Sequence, residues 1–302
     1  KNGDFVICQS LTFVGSANPI LYCNAEPIFI DSETETWNMC PLLLERAIND
    51  LLKINKKPKA IILVHLYGMP AKINEIKEIS KKYDIPLIED AAEALGSNYD
   101  GIPLGTIGDF GVLSFNGNKI ITTSGGGALI SSSLEHSKKA KFLSSQAKEN
   151  TIHYQHKEIG YNYRISNVLA AIGLGQIEQI DKKIKIGRQN FSLYKKYLNN
   201  IEEISFLEEP LNFYSNRWIT TILVSSQNGF CKEKIIRKLR ENKIESRPIW
   251  KPMHLQPLYK QYKFYNNNSS EKLFNLGLCL PSGTTLTEEQ ISKISQIIIS
   301  SK

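Results

Sequence analysis

A lysine and an aspartate each follow an apolar segment of the sequence. In an α/β protein, residues at such positions can lie in a ligand-binding or catalytic site. Lys119 stands in "SFNGNKIITTSGGGALI", and Asp90 ends "IPLIED". Ligands of open α/β sheets bind outside the carboxyl ends of the strands. Pyridoxal phosphate chemistry needs a lysine amine that forms a Schiff base and an acid that keeps the pyridine nitrogen protonated. The two residues together therefore predict a pyridoxal phosphate site, in which Lys119 also moves the proton of the substrate's α-carbon.

The residues around Lys119 fit a phosphate as well. Ser114 and the backbone amides of Gly125 to Gly127 could face one, although a glycine-rich turn is by itself more often only a tight turn. The sequence contains neither GxxxxGK[ST] nor GxGxxG. A P-loop ATPase and a Rossmann dehydrogenase are therefore not favoured.

The elements that must position these residues alternate in the first two thirds of the chain. Apolar runs and helix-like stretches follow one another, which predicts an α/β sheet with crossover helices. The predicted strands are Phe5 to Cys8, Pro27 to Ile30, Ala60 to Val64, Pro86 to Ile88, Val112 to Phe115 and Gly127 to Ile130. The predicted helices include Pro41 to Asn49, Ile73 to Tyr83, and Ile165 to Leu198 with an interruption near Gly187.

The last third predicts a separate, smaller unit. It contains a strand-like segment, "WITTILVSS", and two helix-like segments, "CKEKIIRKLRENK" and "TEEQISKISQIII". We therefore expect a large domain over residues 1–198 and a small α+β domain over residues 199–302.

Composition narrows the function classes. The 302 residues are 41% apolar and carry a net charge of +7, but the basic residues alternate with acidic ones, so we expect no nucleic-acid partner. No apolar run approaches the roughly 20 residues that span a bilayer, so we expect no membrane partner and a cytoplasmic location. The five cysteines form no CxxC pair, so neither a metal site nor a disulfide framework is predicted.

Several long segments resemble the DegT/DnrJ/EryC1/StrS family of nucleotide-sugar aminotransferases. They are "SLTFVGSANPILYCNAEPIFID", "VHLYGMPAKINEI", "IEDAAEALGSNYDGIPLGTIGDFGVLSFNGNKIITTSGGGALI", "EIGYNYRISNVLAAIGLGQIEQID" and "LCLPSGTTLTEEQ". The resemblance implies a fold-type I pyridoxal phosphate transferase, similar to aspartate aminotransferase, with a large, mostly parallel mixed sheet and a small α+β C-terminal domain.

The resemblance also implies roles for five residues around the cofactor. Lys119 matches the lysine that carries pyridoxal phosphate, and Asp90 the partner of the pyridinium nitrogen. Glu93 matches the acid or amide near the phenolic oxygen. Phe13 matches the aromatic residue stacked on the ring, and Ser114 the residue bonded to the phosphate. Phe13 could instead be an ordinary core residue.

A further match implies a homodimer with shared active sites. Asn162, in "GYNYR", is similar to the asparagine that reaches the phosphate bound in the neighbouring subunit. The alternative is that Asn162 and Arg164 only cap the helix that starts near Ser166.

The substrate expected from the resemblance is a nucleotide-linked keto-sugar, aminated by L-glutamate. Cations and aromatics near the C-terminal domain suit a nucleotide diphosphate, by charge pairing and stacking. They are Arg217, Trp218, Arg247, Trp250, Lys251 and His254. The alternative for the two tryptophans is that they pack the small domain.

The segments "SNRWITT" and "ESRPIWKPMHLQP" are most similar to the corresponding segments of aminotransferases from bacillosamine-type pathways of glycan biosynthesis. Those enzymes act on a UDP-linked 4-keto-6-deoxy-N-acetylhexosamine. Other keto-sugars, GDP- or dTDP-linked and aminated at C3 or C4, stay open. So does a non-catalytic nucleotide-sugar binding homologue. A related 3-dehydratase has histidine in place of the lysine, so Lys119 argues against it.

Two departures from the family pattern are visible. Relatives have an upstream Ser-Gly-Thr segment at a helix N-terminus, so we expect the N-terminal part of the large domain to be missing from this sequence. "TTSGGG" stands where many relatives have "TTGEGG".

Overall fold

The computed structural model describes residues 1–226 and 229–302. The strands are β1 (Phe5–Gln9), β2 (Glu26–Ile30), β3 (Ala60–Val64), β4 (Leu87–Asp90), β5 (Asn98–Tyr99), β6 (Ile102–Pro103), β7 (Phe110–Ser114), β8 (Gly127–Ile130), β9 (Ile204–Phe206), β10 (Phe213–Tyr214), β11 (Thr220–Val224), β12 (Arg247–Pro248), β13 (Phe264–Tyr265) and β14 (Gly277–Leu280). The helices are α1 (Val14–Tyr22), α2 (Pro41–Lys53), α3 (Ile73–Tyr83), α4 (Leu134–Ser144), α5 (Asn167–Ile177), α6 (Ile180–Leu198), α7 (Lys232–Glu241), α8 (Ser269–Leu276) and α9 (Glu288–Ile299).

A seven-stranded sheet contains all six predicted strands. Its order is β13-β2-β1-β3-β4-β7-β8, and the pairs are parallel except for β7 with β8. The apolar side chains of β1, β3 and β4 pack with those of α2 and α3 in one buried cluster. β4 runs parallel to its neighbours β3 and β7. Its last residue, Asp90, therefore lies at the carboxyl edge that the three strands share. The predicted α/β architecture with crossover helices is confirmed.

The predicted long helix is two helices, and the predicted break near Gly187 is wrong. The chain leaves the helix at Glu178 and Gln179, whereas Gly187 lies inside α6. A Cβ atom at Gly187 would stand 2.9 Å from the carbonyl oxygen of Arg217 and 3.1 Å from that of Asn216. The glycine therefore allows another backbone to approach α6 closely and does not interrupt the helix.

A second sheet has the order β12-β14-β11-β9, and all its pairs are antiparallel. Its apolar face packs against α6, α7 and α9 in a buried cluster that includes Tyr194, Phe230, Ile235 and Ile291. The cleft described below opens between this second unit and the carboxyl edge of the large sheet.

One segment after residue 199 returns to the large sheet. β13 pairs with β2, with Phe264 opposite Phe29 and Tyr265 opposite Ile30. The ring of Tyr259 also packs on Phe29, with 5.4 Å between the ring centroids. The division into domains of residues 1–198 and 199–302 stays a prediction, to which the structure adds that the later part contributes a strand to the larger sheet.

Within residues 1–226 and 229–302, no helix combines the length and apolar character needed to cross a membrane. The same residues hold no group of three or more His, Cys, Asp and Glu side chains arranged to bind a metal ion.

Candidate active site

Asp90 and Lys119 open into the same cleft, whose volume is about 1880 Å³. Asp90 reaches it because β4 ends there, between Val64 at the end of β3 and Val112 in β7. Lys119 reaches it from the loop after β7, where its backbone N–H donates to the carbonyl of Asn116 at 3.1 Å. The two groups that were predicted to act together thus share one site, although 29 positions separate them in the sequence.

The carboxylate of Asp90 is fixed by two hydrogen bonds. The hydroxyl of Ser16 donates to Oδ2 at 2.6 Å, and the backbone N–H of Ala92 donates to Oδ1 at 3.1 Å. Because Ser16 gives its proton to Asp90, Thr12 donates to the Ser16 hydroxyl, at 2.8 Å. Ser16 stands in the first turn of α1, so the start of this helix orients the carboxylate.

Glu93 lies beside the lysine amine. Its Oε1 is 3.4 Å from Nζ of Lys119, and its Oε2 accepts the backbone N–H of Tyr67 at 2.6 Å. Only 4% of the Glu93 side chain and 12% of the Lys119 side chain is exposed. Burial raises the pKa of Glu93 to about 7, and the charge of Asp90 adds to that rise, while the Lys119 ammonium and the Tyr67 amide oppose it.

Aromatic rings form one wall of the cleft. Phe13 precedes α1 and is 58% exposed, so the core alternative is excluded for this ring. Trp250 packs on Phe13 and on Tyr67, with centroid distances of 5.6 and 5.0 Å. The backbone N–H of Trp250 also donates to the Tyr67 hydroxyl at 3.0 Å. This joins the second unit to the wall of the large sheet.

These groups fit pyridoxal phosphate. Phe13 offers an open ring face, Asp90 an anchored carboxylate, Lys119 an amine and Ser114 a hydroxyl, and all four border the same cleft. A flat cofactor with a ring nitrogen, an aldehyde and a phosphate can address each of them at once.

A buried hydrogen bond between His65 and Glu89 supports the edge that carries Asp90. His65 accepts the backbone N–H of Ala71 at Nδ1, at 3.0 Å, so its Nε2–H donates to Glu89, also at 3.0 Å. Burial acts to raise the pKa of Glu89, but the bonds from His65 and from the amides of Gly105 and Gly108 hold it below its ordinary value. The strand residue before Asp90 is thereby locked to two loops.

Asn216 is a site residue that the sequence did not reveal. It is fully buried, and its Nδ2 donates to the carbonyls of Glu93 at 2.8 Å and Leu95 at 3.0 Å. Asn216 therefore fixes the backbone of Glu93 from the second unit. Ser16 and Tyr67 were also not predicted as binding residues, because their partners, Asp90 and Glu93, are distant in sequence and only the fold brings them together.

Two of the predicted substrate-binding cations have their side chains engaged elsewhere. The Arg217 guanidinium donates to the carbonyl of Leu207 at 2.6 Å, lies 3.6 Å from Glu209, and stacks over Phe191 at 3.7 Å. Arg217 borders the cleft, but its charge is already matched by Glu209, so its contact with a substrate phosphate stays a prediction.

His254 is held away from the cleft. It bonds Ser10 at 2.7 Å, lies 3.3 Å from Glu271, and stacks on Phe264 with 3.6 Å between centroids. Burial lowers the pKa of His254, despite the opposing effect of Glu271. The expected substrate contact of His254 is therefore not supported by its surroundings.

The remaining four predicted substrate residues border the cleft as Arg217 does. Arg247, Trp250 and Lys251 line it from the second unit. The Arg247 side chain is 79% exposed and pairs with Glu245, at 2.6 Å, whose side chain is 73% exposed, so its charge remains available to a ligand. Trp218 lines the cleft too, with its indole directed at Lys119.

Asn162 lies outside this cleft of its own chain. Its exposed side chain accepts a hydrogen bond from Nε2 of Gln146 at 3.0 Å, and its backbone bridges to Ser145. The helix cap at α5 is made by Ser166, whose hydroxyl accepts from the N–H of Leu169. Asn162 does not make that cap.

Comparison with known proteins gives one consistent answer. The model of the DegT/DnrJ/EryC1/StrS aminotransferase family matches residues 1–299. EpsN of Bacillus subtilis (strain 168), a candidate pyridoxal phosphate-dependent aminotransferase, is 48% identical over 303 residues, which cover 99% of this chain and 78% of EpsN. GDP-perosamine synthase of Escherichia coli O157:H7 is 38% identical over 298 residues, 99% of this chain and 79% of that protein.

The fold agrees with these relatives. The crystal structure of a DegT DnrJ EryC1 StrS aminotransferase from Brucella abortus superimposes with a TM-score of 0.91 at 29% identity, covering 99% of this chain and 79% of that one. The predicted fold-type I transferase architecture is confirmed.

Proposed function

Since this chain belongs to the DegT/DnrJ/EryC1/StrS aminotransferase family and is a pyridoxal phosphate-dependent sugar aminotransferase, we propose that it transfers the amino group of L-glutamate to C4 of a UDP-linked 4-keto-6-deoxy-N-acetylhexosamine. The product is the corresponding UDP-4-amino sugar, a precursor for glycan biosynthesis. The single observation that supports catalysis best is that the Asp90 carboxylate and the Lys119 amine face one cleft.

Each side chain has a distinct task in this proposal. Bound pyridoxal phosphate supplies the electron sink that makes an α-carbon proton of the amino donor removable. Asp90, anchored by Ser16, would accept a hydrogen bond from the ring nitrogen and keep it protonated. Lys119 would hold the cofactor, and its free amine would take and return the proton. Phe13 would face the ring and Ser114 would bond the phosphate, and both residues border the cleft.

The sugar nucleotide enters from the side of the second unit. Arg247 and Lys251 offer two positive charges there, and the Trp250 indole lines the same cleft. A diphosphate is a dianionic group that two cations can pair with, and a flat base can stack on the indole. The choice of UDP rests on the similarity of "SNRWITT" and "ESRPIWKPMHLQP" to aminotransferases of bacillosamine-type pathways.

A GDP-linked keto-sugar is the second candidate. It is favoured by the 38% identity to the Escherichia coli protein named GDP-perosamine synthase. The pocket walls carry cations and aromatics that suit either nucleotide, so the base must be distinguished by experiment.

The experiment supplies the enzyme with pyridoxal phosphate, L-glutamate and either the UDP-linked or the GDP-linked 4-keto-6-deoxy sugar. Formation of 2-oxoglutarate and of the amino sugar is followed by mass spectrometry, and the configuration at C4 by NMR. We expect kcat/KM to be at least tenfold higher with the UDP sugar. A preference for the GDP sugar would reassign the substrate, and turnover of neither would reject both candidates.

The same proposal includes a homodimer, and α5 supports it. This helix has no buried residue, although most of its side chains are apolar; Val168 is 71% exposed, Ile172 46% and Leu174 66%. Tyr163, just before it, is 73% exposed. An apolar face of this extent is typical of a protein interface. We propose that a second copy covers it and that Asn162, beside this face, reaches the phosphate in the partner's cleft.

A cytoplasmic location fits this function, because nucleotide sugars and glutamate are cytoplasmic metabolites. Detection of the enzyme in the cytoplasmic fraction of fractionated cells, and its absence from the membrane fraction, tests this part of the proposal.

A further inference from the structure

Trp218 contacts the loop of Lys119 in two ways. Its indole Nε1–H donates to the carbonyl of Asn118, the residue before the lysine, at 2.7 Å. The ammonium of Lys119 lies over the same indole, 4.4 Å from the ring centroid. Trp218, which the sequence predicts to stack on substrate, therefore uses its Nε1–H to bind the lysine loop and one ring face to contact the lysine ammonium.

The backbone around Trp218 is held rigidly. Arg217 has a left-handed backbone, with φ of 52°, and its guanidinium is anchored at Leu207 and Glu209. The backbone N–H of Trp218 donates to Oδ1 of Asn216 at 2.9 Å. The turn at Arg217 thus brings Asn216 to the carbonyl of Glu93 and Trp218 to the carbonyl of Asn118.

Both partners of the lysine amine are consequently fixed by one turn. Asn216 holds the backbone of Glu93, whose carboxylate lies 3.4 Å from Nζ, while Trp218 holds the backbone of Asn118 and covers the amine. An ammonium over an indole face is attracted by the ring quadrupole, more strongly where solvent is excluded. Only 12% of the Lys119 side chain is exposed.

We propose that Trp218 is a positioning residue for Lys119: its indole fixes the lysine loop and supports the amine beside Glu93 whenever that amine is not bonded to the cofactor. During transamination the amine is released and must wait within reach of the substrate's proton. A fixed position keeps the free amine in the geometry needed for proton transfer and prevents the side chain from turning into the open cleft. This inference rests on the proposed role of Lys119.

The first test measures the amine itself in cofactor-free protein. Lys119 is acetylated with a limiting amount of acetic anhydride at constant pH, and its labelling rate is read by peptide mass spectrometry relative to the exposed Lys53. In W218L we expect the Lys119 rate to rise about threefold to thirtyfold, because both the cation–π attraction and the cover are lost. In W218F, which keeps a smaller ring face, we expect a smaller rise.

W250F is the matched control, since Trp250 packs on Phe13 and Tyr67 and should leave the Lys119 rate unchanged. An unchanged rate in folded W218L, or an equal rise in W250F, would overturn the proposal. If W218L does not fold, W218F against W250F decides in the same way.

The second test uses the loaded enzyme and separates positioning from substrate binding. In W218F we expect kcat to fall several-fold, with KM for the keto-sugar within about twofold of the wild-type value. A raised KM with unchanged kcat would overturn the proposal and restore substrate stacking. Labelling needs neither cofactor nor substrate, so failure of the wild-type enzyme to use the proposed sugar counts against the proposed function and not against the role of Trp218.

Discussion

The carboxylate of Glu93 and the amine of Lys119 lie 3.4 Å apart, and both side chains are largely buried. Burial raises the pKa of Glu93 to about 7, so this carboxyl changes charge close to neutral pH while remaining next to the lysine. The stability of the protein and the behaviour of the site should therefore share a pH dependence that originates at Glu93.

We expect Glu93→Gln to remove part of the loss of stability at rising pH. The pKa of Glu93 in the folded chain, about 7, is above its ordinary value of 4.5, so the folded state keeps the proton longer than the unfolded state. The free energy of unfolding should fall by about 3 kcal/mol as the pH rises from about 4.5 through 7. The glutamine cannot ionise and should lack this fall.

Urea unfolding of the cofactor-free protein at pH 5 and pH 8 measures this difference. Other titrating groups contribute to both proteins and cancel when the variant is subtracted from the wild type. Glu78→Gln, at an exposed position, serves as control and should follow the wild type. Parallel pH curves for E93Q and wild type would show that Glu93 has no such pKa in the folded state.

Lys119→Ala should abolish transamination with the fold retained. The lysine is the amine that lies in the cleft with Asp90, and no hydroxyl or amide can replace its combined roles of carrying the cofactor and moving a proton. We expect a loss in kcat of at least a thousandfold, measured as 2-oxoglutarate release. Lys185→Ala, on the exposed side of α6, should keep wild-type kcat. Normal turnover by K119A would disprove the mechanism.

Ser16→Ala should reveal how much of the effect of Asp90 depends on its orientation. Loss of the 2.6 Å hydroxyl donor leaves the carboxylate charged but less fixed, whereas Asp90→Asn removes its charge. We expect a fall in kcat of about tenfold for S16A and of at least a hundredfold for D90N, with KM for the keto-sugar little changed. Equal losses in the two variants would mean that Ser16 acts on something other than Asp90.

The sequence predicted the large sheet well because its strands are continuous apolar runs followed by polar residues, a pattern that local residue types record directly. It placed Asp90 and Lys119 in one site because each follows an apolar strand, and it placed Phe13 beside them because the family resemblance supplied that position. The orientation of Arg217 and His254 could not be predicted, since each side chain has a partner from another part of the chain, Phe191 for Arg217 and Ser10 for His254. A basic residue in a segment that predicts a binding site can instead form its ion pair within the protein.

Mixed dimers should show whether Asn162 serves the neighbouring cleft. Lys119→Ala and Asn162→Ala chains are each expected to be impaired alone. If Asn162 acts in the partner's site, a mixed dimer of the two has one site with both defects and one intact site. Unfolding and refolding the two chains together should then restore about a quarter of the wild-type activity, because about half of the dimers are mixed and each has one working site.

The control is a mixture of Lys119→Ala and Asp90→Asn chains, whose defects lie in the same cleft and cannot complement within a dimer. Recovery in the first mixture and none in the second is the expected result. If neither mixture recovers and co-purification through an affinity tag on one of the two chains confirms mixed dimers, Asn162 acts within its own chain.

Gly187→Ala should destabilise the protein, although alanine is the better helix former. In an open helix the substitution would stabilise by about 1 kcal/mol. Here the new Cβ would stand 2.9 Å from the carbonyl oxygen of Arg217, and α6 would have to move away from the turn that carries Asn216 and Trp218. We expect a loss of about 1–3 kcal/mol in the free energy of unfolding, measured by urea denaturation. Gly283→Ala, where a Cβ meets nothing within 4 Å, should change it little.

Because the same turn positions both partners of Lys119, G187A should also raise the Lys119 acetylation rate in the cofactor-free protein. A gain in stability with unchanged labelling would show that α6 and this turn are not in close contact.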